Sequence, residues 1–348
     1  MSAVALTMVL VAVSACTPSS SPRLEWKPIG LAGAYPRTFA VDGERVLVAG
    51  ERGRYAPAAW TVSGRSATPV TLRPRSSYGP TADLVTATLS GDSVSFVGQR
   101  AGGAHGIPRW TIWSGTVSGG VDDLPQTFET FGGPDSLGLV ALQTVGGRPL
   151  LLGNWASETP EPAFWRSTGS KWVRSATGLR STGFLASGLG VLGGRPVVLG
   201  HSVSGGSLRP TVWLGSADLT TWRAVRLGSE PVAHALDLSC AGAVCLVAVR
   251  VPGEGISVWE VDGAARRLGA VKGGRDATWA QVAVGADGTR AVAYGSSTSS
   301  AVATWDGDWS YAVPPGDEVR DLAAIPGHLL AISGNGDAED SPRQLLTA

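Results

Sequence analysis

One phrase recurs along this chain and leaves few folds open to it. An apolar stretch, a Gly-containing turn, a second apolar stretch often ending in Gly, a polar loop and a stretch carrying Trp follow one another repeatedly. The turns fall at Asp42-Gly43, Gly91-Asp92, Gly146-Gly147, Gly193-Gly194, Ala241-Gly242, Asp287-Gly288 and Pro326-Gly327. Most of these dipeptides reach hairpin geometry cheaply, because Gly and Asp tolerate positive φ. The stretches after the turns, such as Val46-Leu47-Val48-Ala49 and Val197-Val198-Leu199, run into Gly50, Gly98, Gly153, Gly200, Gly295 and Gly334. These glycines lie 48, 55, 47, 95 and 39 residues apart, and the longest gap holds one more unit whose glycine is replaced near Val249. The period is about 47 residues, occupied seven times.

A third strand is expected to carry Trp60, Trp113, Trp165, Trp213, Trp259 or Trp305, with Gln344-Leu345-Leu346 as its seventh member. Fourth strands are expected at 69–72, 126–131, 172–175, 222–227, 267–271 and 309–313. The seventh unit has none of its own, and Leu24-Glu25-Trp26-Lys27-Pro28-Ile29 is the unassigned segment that can supply it. The pattern therefore predicts an all-β, seven-bladed β-propeller over residues 24–348, its last blade closed by an N-terminal strand. Four-stranded units that cannot bury their apolar faces alone do so by stacking around an axis, which leaves no sheet edge in the ring. Six or eight blades, or two stacked sandwich or solenoid domains, are the alternatives. No Pro/Ser-rich linker divides the chain after residue 22, which weighs against two domains.

Composition narrows the partners. With 28 basic and 28 acidic residues the chain has no net charge to grip nucleic acid, so no nucleic-acid partner is expected. Hydrophobic residues make up 43%, enough for a sizeable core.

The first fifteen residues are uncharged, and the apolar run from Ala3 to Val13 is too short for a helix to cross a bilayer of about 30 Å. It fits the apolar region of a signal peptide. Val13-Ser14-Ala15-Cys16, followed by Thr17-Pro18-Ser19-Ser20-Ser21-Pro22, resembles the start of a bacterial lipoprotein, although no Lys or Arg precedes the apolar run. The resemblance implies a signal peptide over 1–15, a lipid on Cys16, a flexible tether over 16–23 and a place on the extracytoplasmic face of the cell membrane. An ordinary cleaved signal peptide is the alternative. Cys240 and Cys245 flank a turn between two apolar strands, where a hairpin brings two cysteines within disulfide reach. Two buried free thiols are the other reading.

Ser216-Ala217-Asp218-Leu219-Thr220-Thr221-Trp222 resembles the Asp-box turn of sialidase-like propellers, which joins the third and fourth strands of a blade. Its Ser, Asp and closing aromatic match, while the family's Gly is absent. Ser167-Thr168-Gly169-Ser170-Lys171-Trp172 and Asp306-Gly307-Asp308-Trp309 are more degenerate versions. Such turns support the fold and carry no chemistry. The family's site needs three arginines, a Tyr–Glu pair and an acid/base Asp. Arg37, in Tyr35-Pro36-Arg37-Thr38, stands where one clamp arginine would, but in scrambled order. Tyr294 and Tyr311, with Glu318 following Tyr311 closely in sequence, have no identifiable pairing. The expectation therefore leans away from catalysis and assigns no catalytic residue, with a sialidase-like glycoside hydrolase as the alternative.

Strand alternation places the first-to-second and third-to-fourth turns on one face, and the remaining connections on the other. The second-to-third connections read as long loops over 51–58, 99–108, 154–162, 201–210, 250–255, 296–300 and 335–342. Rigid strands presenting variable loops suit recognition, which makes Arg52, Tyr55, Arg100, His105, Arg109, Trp155, His201 and Arg209 the candidate binding face. Trp155 reads either as an exposed anchor in a polar loop or as a ring folded onto an adjacent blade. The histidines, His105, His201, His234 and His328, show no ligand spacing, and Asp337-Ala338-Glu339-Asp340 lacks a calcium-loop pattern. No metal or cofactor is expected. The chain as a whole reads as a membrane-anchored binding or scaffold module. Its expected partners are the cell membrane, through Cys16, and a glycan, peptide or envelope protein met by the long-loop face.

Overall fold

The structure is a computed structural model that describes residues 24–348, apart from 32, 54, 103–107, 157, 176–177, 180–182, 205, 229, 231, 298 and 335–342. Seven antiparallel sheets follow one another along the chain. Blade 1 holds Ala34–Asp42, Arg45–Arg52, Ala56–Ser63 and Ser66–Pro69, ordered from the inside outward. Blades 2 to 6 repeat this meander, with innermost strands Asp83–Ser90, Ser136–Val145, Phe184–Leu192, His234–Ala241 and Trp279–Val284. Blade 7 builds Glu318–Ile325, His328–Gly334 and Arg343–Thr347, then takes Lys27–Ile29 as its outermost strand. Lys27 pairs with Thr347, Pro28 with Leu346 and Ile29 with Leu345, so the ring closes as the repeat predicts. Pro28 is tolerated because this is an edge strand, where one face of the backbone needs no donor.

The second strands form the heart of each blade and are mainly apolar at their centres. Leu47, Val48, Phe96, Leu151, Val198, Val247 and Ala331 are all fully buried. Counting along these strands, the sixth position is Gly50, Gly98, Gly153, Gly200, Val249, Gly295 and Ser333. The seventh unit's Gly334 thus lies one residue past the place the repeat predicts. In blades 1 and 4 glycine is required there by the close approach of the first strand: a Cβ at Gly50 would collide with the Tyr35 carbonyl, and one at Gly200 with that of Leu185.

At the fourth position, the facing residues of the third strand are Trp60, Trp113, Trp165, Trp213, Trp259, Val302 and Leu346. Five of the six predicted tryptophans are therefore equivalent. Trp305 is the exception: it lies three residues beyond Val302, which puts it on the other side of the pleat, against Trp309 with ring centroids 5.0 Å apart.

Blade 2 departs from expectation in another way. Its fourth strand is Gly120–Asp123, extended outward by a parallel strand, Leu72–Arg73, whereas residues 128–131 form one helical turn. The Phe128-Glu129-Thr130-Phe131 stretch is drawn inward by Phe131, which packs on Trp165 at 5.7 Å. Cys240 and Cys245, directly paired across the first hairpin of blade 5, form a disulfide. Cys16, the signal-peptide stretch and the tether lie outside the described residues. Among those described, no helix is long and apolar enough to cross a membrane.

Candidate functional site

Strand direction fixes what each face carries. The innermost strands start at the face that bears the second-to-third and blade-to-blade connections, and run to the face of the tight turns. On the first of these faces the strands continue well beyond the predicted loop boundaries. Arg52 pairs with Ala56, Ser204 with Ser207 and Val251 with Gly255, so blades 1, 4 and 5 end in short hairpins where long loops were expected.

The first strand carries a bulge in six blades, at Arg37, Val85, Val140, Ser187, Leu236 and Arg320, and none in blade 6. A bulge leaves one residue unpaired and re-aims its side chain. In blades 1 and 7 that residue is an arginine. Arg37 and Arg320 therefore line a central channel of about 760 Å³, together with Asp237, Asp321, Gln281 and Ser187.

Each innermost strand is also a sheet edge, and its inward N–H groups need acceptors. Side chains of the preceding blade provide them. The Phe39 N–H donates to Asp321 at 2.8 Å, that of Val282 to Asp237 at 2.7 Å, and that of Leu142 to Thr86 at 3.2 Å. Asn154 makes a two-way bridge, accepting from the Ala186 N–H at 2.8 Å and donating to its carbonyl at 2.9 Å. These contacts join blades 7 to 1, 5 to 6, 2 to 3 and 3 to 4 around the axis.

Withdrawal from water raises both channel carboxyls, Asp237 to about 6 and Asp321 to about 7, and the charge of Asp237 adds to the rise at Asp321. These two groups hold protons in the folded chain that they release in the unfolded chain between about pH 4 and 7, so their contribution to stability falls as pH rises through that window. Asp83, raised by burial, acts in the same direction, and His201, lowered by burial, opposes them. Carboxylates held below their usual range act only in more acidic solution: Asp218 by Ser216, Asp122 by Arg75, Asp287 by the Gly327 N–H. The denaturant midpoint is expected to drop between pH 5 and 8, the two groups together contributing on the order of 4 kcal/mol in unfolding free energy. The Asp237→Asn, Asp321→Asn double variant should show a markedly flatter profile. An unchanged slope would show that these two groups do not govern it.

The channel mouth gathers charge of both signs. Arg37 Nε meets the two carboxylate oxygens of Asp83 at 2.9 and 3.0 Å, and its Nη2 stands 3.4 Å from Glu51. Arg320 pairs with Glu318 at 2.7 Å. Arg343, half-buried at the start of its strand, has its pKa lowered to about 10 by burial and by the like charges of Arg37 and Arg320. Burial raises Asp83 to about 6 despite Arg37, with Glu51 adding to the rise. The Arg37 singled out in the sequence is at the site, but committed to two carboxylates. Tyr294 and Tyr311 have no such partner: Tyr294 donates to the Lys272 carbonyl at 2.5 Å and Tyr311 accepts from the Lys272 N–H at 2.8 Å.

Apart from His105, the predicted binding-face residues lie on the mouth side, spread over blades 1 to 4. Tyr55 sits in a turn at φ 78°, with the Arg100 guanidinium 4.1 Å from its ring centre. Arg52 lies over Trp60 at 5.5 Å and Arg109 over Phe128 at 4.5 Å. Trp155 belongs to a strand, paired with Glu161, and not to a polar loop. Its ring packs on Trp165 at 6.2 Å beneath Arg174 at 4.7 Å. His201 faces His234 across blades 4 and 5 at 6.1 Å, burial and that neighbour together lowering its pKa. Arg209 is an exposed strand residue opposite Ser202, and His105 lies outside the described residues. Seven of the exposed large apolar side chains occupy this same face: Tyr55, Tyr78, Phe128, Leu137, Val203, Val232 and Val313. Among the described residues, no three His, Cys, Asp or Glu side chains converge to hold a metal.

The Asp-box-like turn belongs to the opposite face and is self-contained. Asp218 accepts from the Ser216 hydroxyl at 2.5 Å and from the Thr220 N–H at 3.1 Å, while Trp222 Nε1 donates to the Leu219 carbonyl at 3.1 Å. Leu219 takes the left-handed φ of 67° that Gly adopts readily.

No protein-family model matches the chain, and no curated protein matches it. Solved structures do. YCF48 bound to D1 peptide is 14% identical over 92% of this chain and 94% of that one, with a TM-score of 0.57. Virginiamycin B lyase from Staphylococcus aureus, solved catalytically inactive with Quinupristin, is 10% identical over 93% and 99%, at 0.59. A puromycin-hydrolyzing peptidase from Mycobacterium tuberculosis is 12% identical at 0.56; the match spans 90% of this chain but only 50% of the peptidase. At such identities the likeness concerns the fold, and the sialidase resemblance reduces to that fold. It also corrects the lean away from catalysis, since a lyase and a peptidase carry the same architecture. The chain is a seven-bladed β-propeller, of a form shared by peptide-bound proteins and enzymes alike.

Proposed function

We propose that this chain is a membrane-tethered, extracytoplasmic recognition module that binds an extended peptide segment of an envelope protein at the mouth of its channel. The carrying observation is the mixed-charge mouth formed by Arg37, Glu51, Asp83, Glu318, Arg320 and Arg343, ringed by exposed apolar side chains. A peptide offers charges of both signs, backbone donors and acceptors, and apolar side chains, and all three find counterparts here. A glycan suits the face less well. Sugars stack on open aromatic rings, and Tyr55 and Trp155 lie under arginines. YCF48, which shares the fold, has been solved with a peptide bound.

The tether is compatible with this use. Lys27–Ile29 runs antiparallel to Arg343–Thr347, so Lys27 lies toward the face of the tight turns. A lipid on Cys16 would hold the propeller from that side and turn the mouth away from the membrane. An array of peptides from exported and membrane proteins, probed with the full chain, tests the reading. A discrete set should bind, and Val313→Asp together with Tyr78→Asp should weaken those signals at least tenfold, while Val173→Asp on an outer strand leaves them unchanged. Failure to bind any peptide, or equal loss from both sets of variants, would overturn it.

A further inference from the structure

Resting on that reading, we propose that Arg343 anchors a carboxylate of the bound peptide, supplied either by its C-terminus or by an Asp or Glu side chain. The mouth contains three arginines, and two have carboxylate partners. Arg37 is held by Asp83 and Glu51, and Arg320 by Glu318. Arg343 is half-buried, and no hydrogen bond or ion pair links it to any described residue. A guanidinium withdrawn from water is costly unless a counter-charge accompanies it; here burial and the like charges of Arg37 and Arg320 outweigh the more distant help of Asp83 and Glu51.

Gly334 contributes to the shape. The stem of Arg343 (Cγ) and the Nε of Arg320 each lie 3.9 Å from where a Cβ on Gly334 would stand. Both arginines thus pass over the same stretch of backbone, at ordinary contact distance from that point. A planar fork beside a second cation matches a carboxylate held by two parallel hydrogen bonds. Glu51, Asp83 and Glu318 set the upper limit on ligand charge, because a dianionic phosphate would be repelled by three carboxylates in the same mouth. A singly charged carboxylate fits both constraints, and it would give Arg343 the direct partner that Arg37 and Arg320 already have.

Ligand-observed NMR titration of the full chain tests this with three probes: acetyl-pentaalanine with a free C-terminus, its C-terminal amide, and the amide with one central Ala replaced by Glu. Sodium propionate serves as a fourth, non-peptide probe. The free acid, the Glu-containing amide or both should bind at least tenfold more tightly than the plain amide; which of them does identifies the source of the carboxylate. Arg343→Gln should remove that preference, Arg343→Lys should restore part of it, and Arg195→Gln, at an exposed position on the opposite face, should leave it intact. Melting curves report whether each variant is folded. Equal binding of all three peptides, or a preference that survives Arg343→Gln in a folded variant, overturns the anchor while leaving peptide recognition standing. Propionate binding that depends on Arg343, without binding of any peptide, keeps the carboxylate site and removes the peptide reading. No binding of any probe at millimolar concentration removes both.

Discussion

Removing residues 24–29 is expected to lower the unfolding free energy by on the order of 5 kcal/mol and to make the protein aggregate. The estimate follows from what the segment contributes. Ile29 is buried, worth about 2–3 kcal/mol. Leu24 and Trp26 pack against the cluster shared by blades 6 and 7, and Trp26 Nε1 donates to the Val313 carbonyl at 3.1 Å. The ladder to Arg343–Thr347 adds a few hydrogen bonds at about 1 kcal/mol each. Aggregation follows because Arg343–Thr347 becomes an open strand edge. Removing residues 17–22 should leave the melting curve unchanged, and equal curves for the two truncations would contradict closure by the N-terminal strand.

Trp165→Ala is expected to cost roughly 3–5 kcal/mol, measured by denaturant titration. Its ring is 1% exposed, donates through Nε1 to the Thr130 carbonyl at 2.7 Å, and holds Phe131 and Trp155 against blade 3. The loss combines a large cavity with an orphaned carbonyl. Trp305→Ala should cost less than half as much, because Val302 fills the equivalent core position in blade 6 and Trp305 is only partly buried. Equal costs would show that the register placing Trp305 outside the series is wrong.

The number of blades and the closure were legible because hydrophobic periodicity and turn glycines repeat with the fold. The register was less so. Trp305 occurs at roughly the right interval, yet blade 6 lacks the first-strand bulge and has a longer turn before Arg290, which changes the count. The 126–131 segment resembled a strand by composition alone, and the contact that curls it inward comes from Trp165, a residue far along the chain. Of the mouth residues, Arg37 was noticed for a resemblance, while Glu51, Asp83, Arg320 and Arg343 were overlooked because they come together only when blades 7, 1 and 2 meet. A signal did exist. Asp237 and Asp321 interrupt apolar first strands one residue after the bulge, in Ala235-Leu236-Asp237-Leu238 and Val319-Arg320-Asp321-Leu322. A charge recurring at one repeat phase on the innermost strand marks the channel. Tyr55, Trp155 and His201 stood out as single residues in polar surroundings, and each turns out to have a ring or guanidinium packed on it.

That the mouth face of the channel is where this propeller meets its partner is tested most directly by hydrogen exchange, with and without a saturating array-selected peptide. Slowed exchange should appear at the starts of the innermost strands of blades 7, 1 and 2, around Arg320, Arg37 and Asp83, and at Arg343. Protection confined to the opposite face, at the turns near Gly43, Gly91 and Gly327, would contradict it.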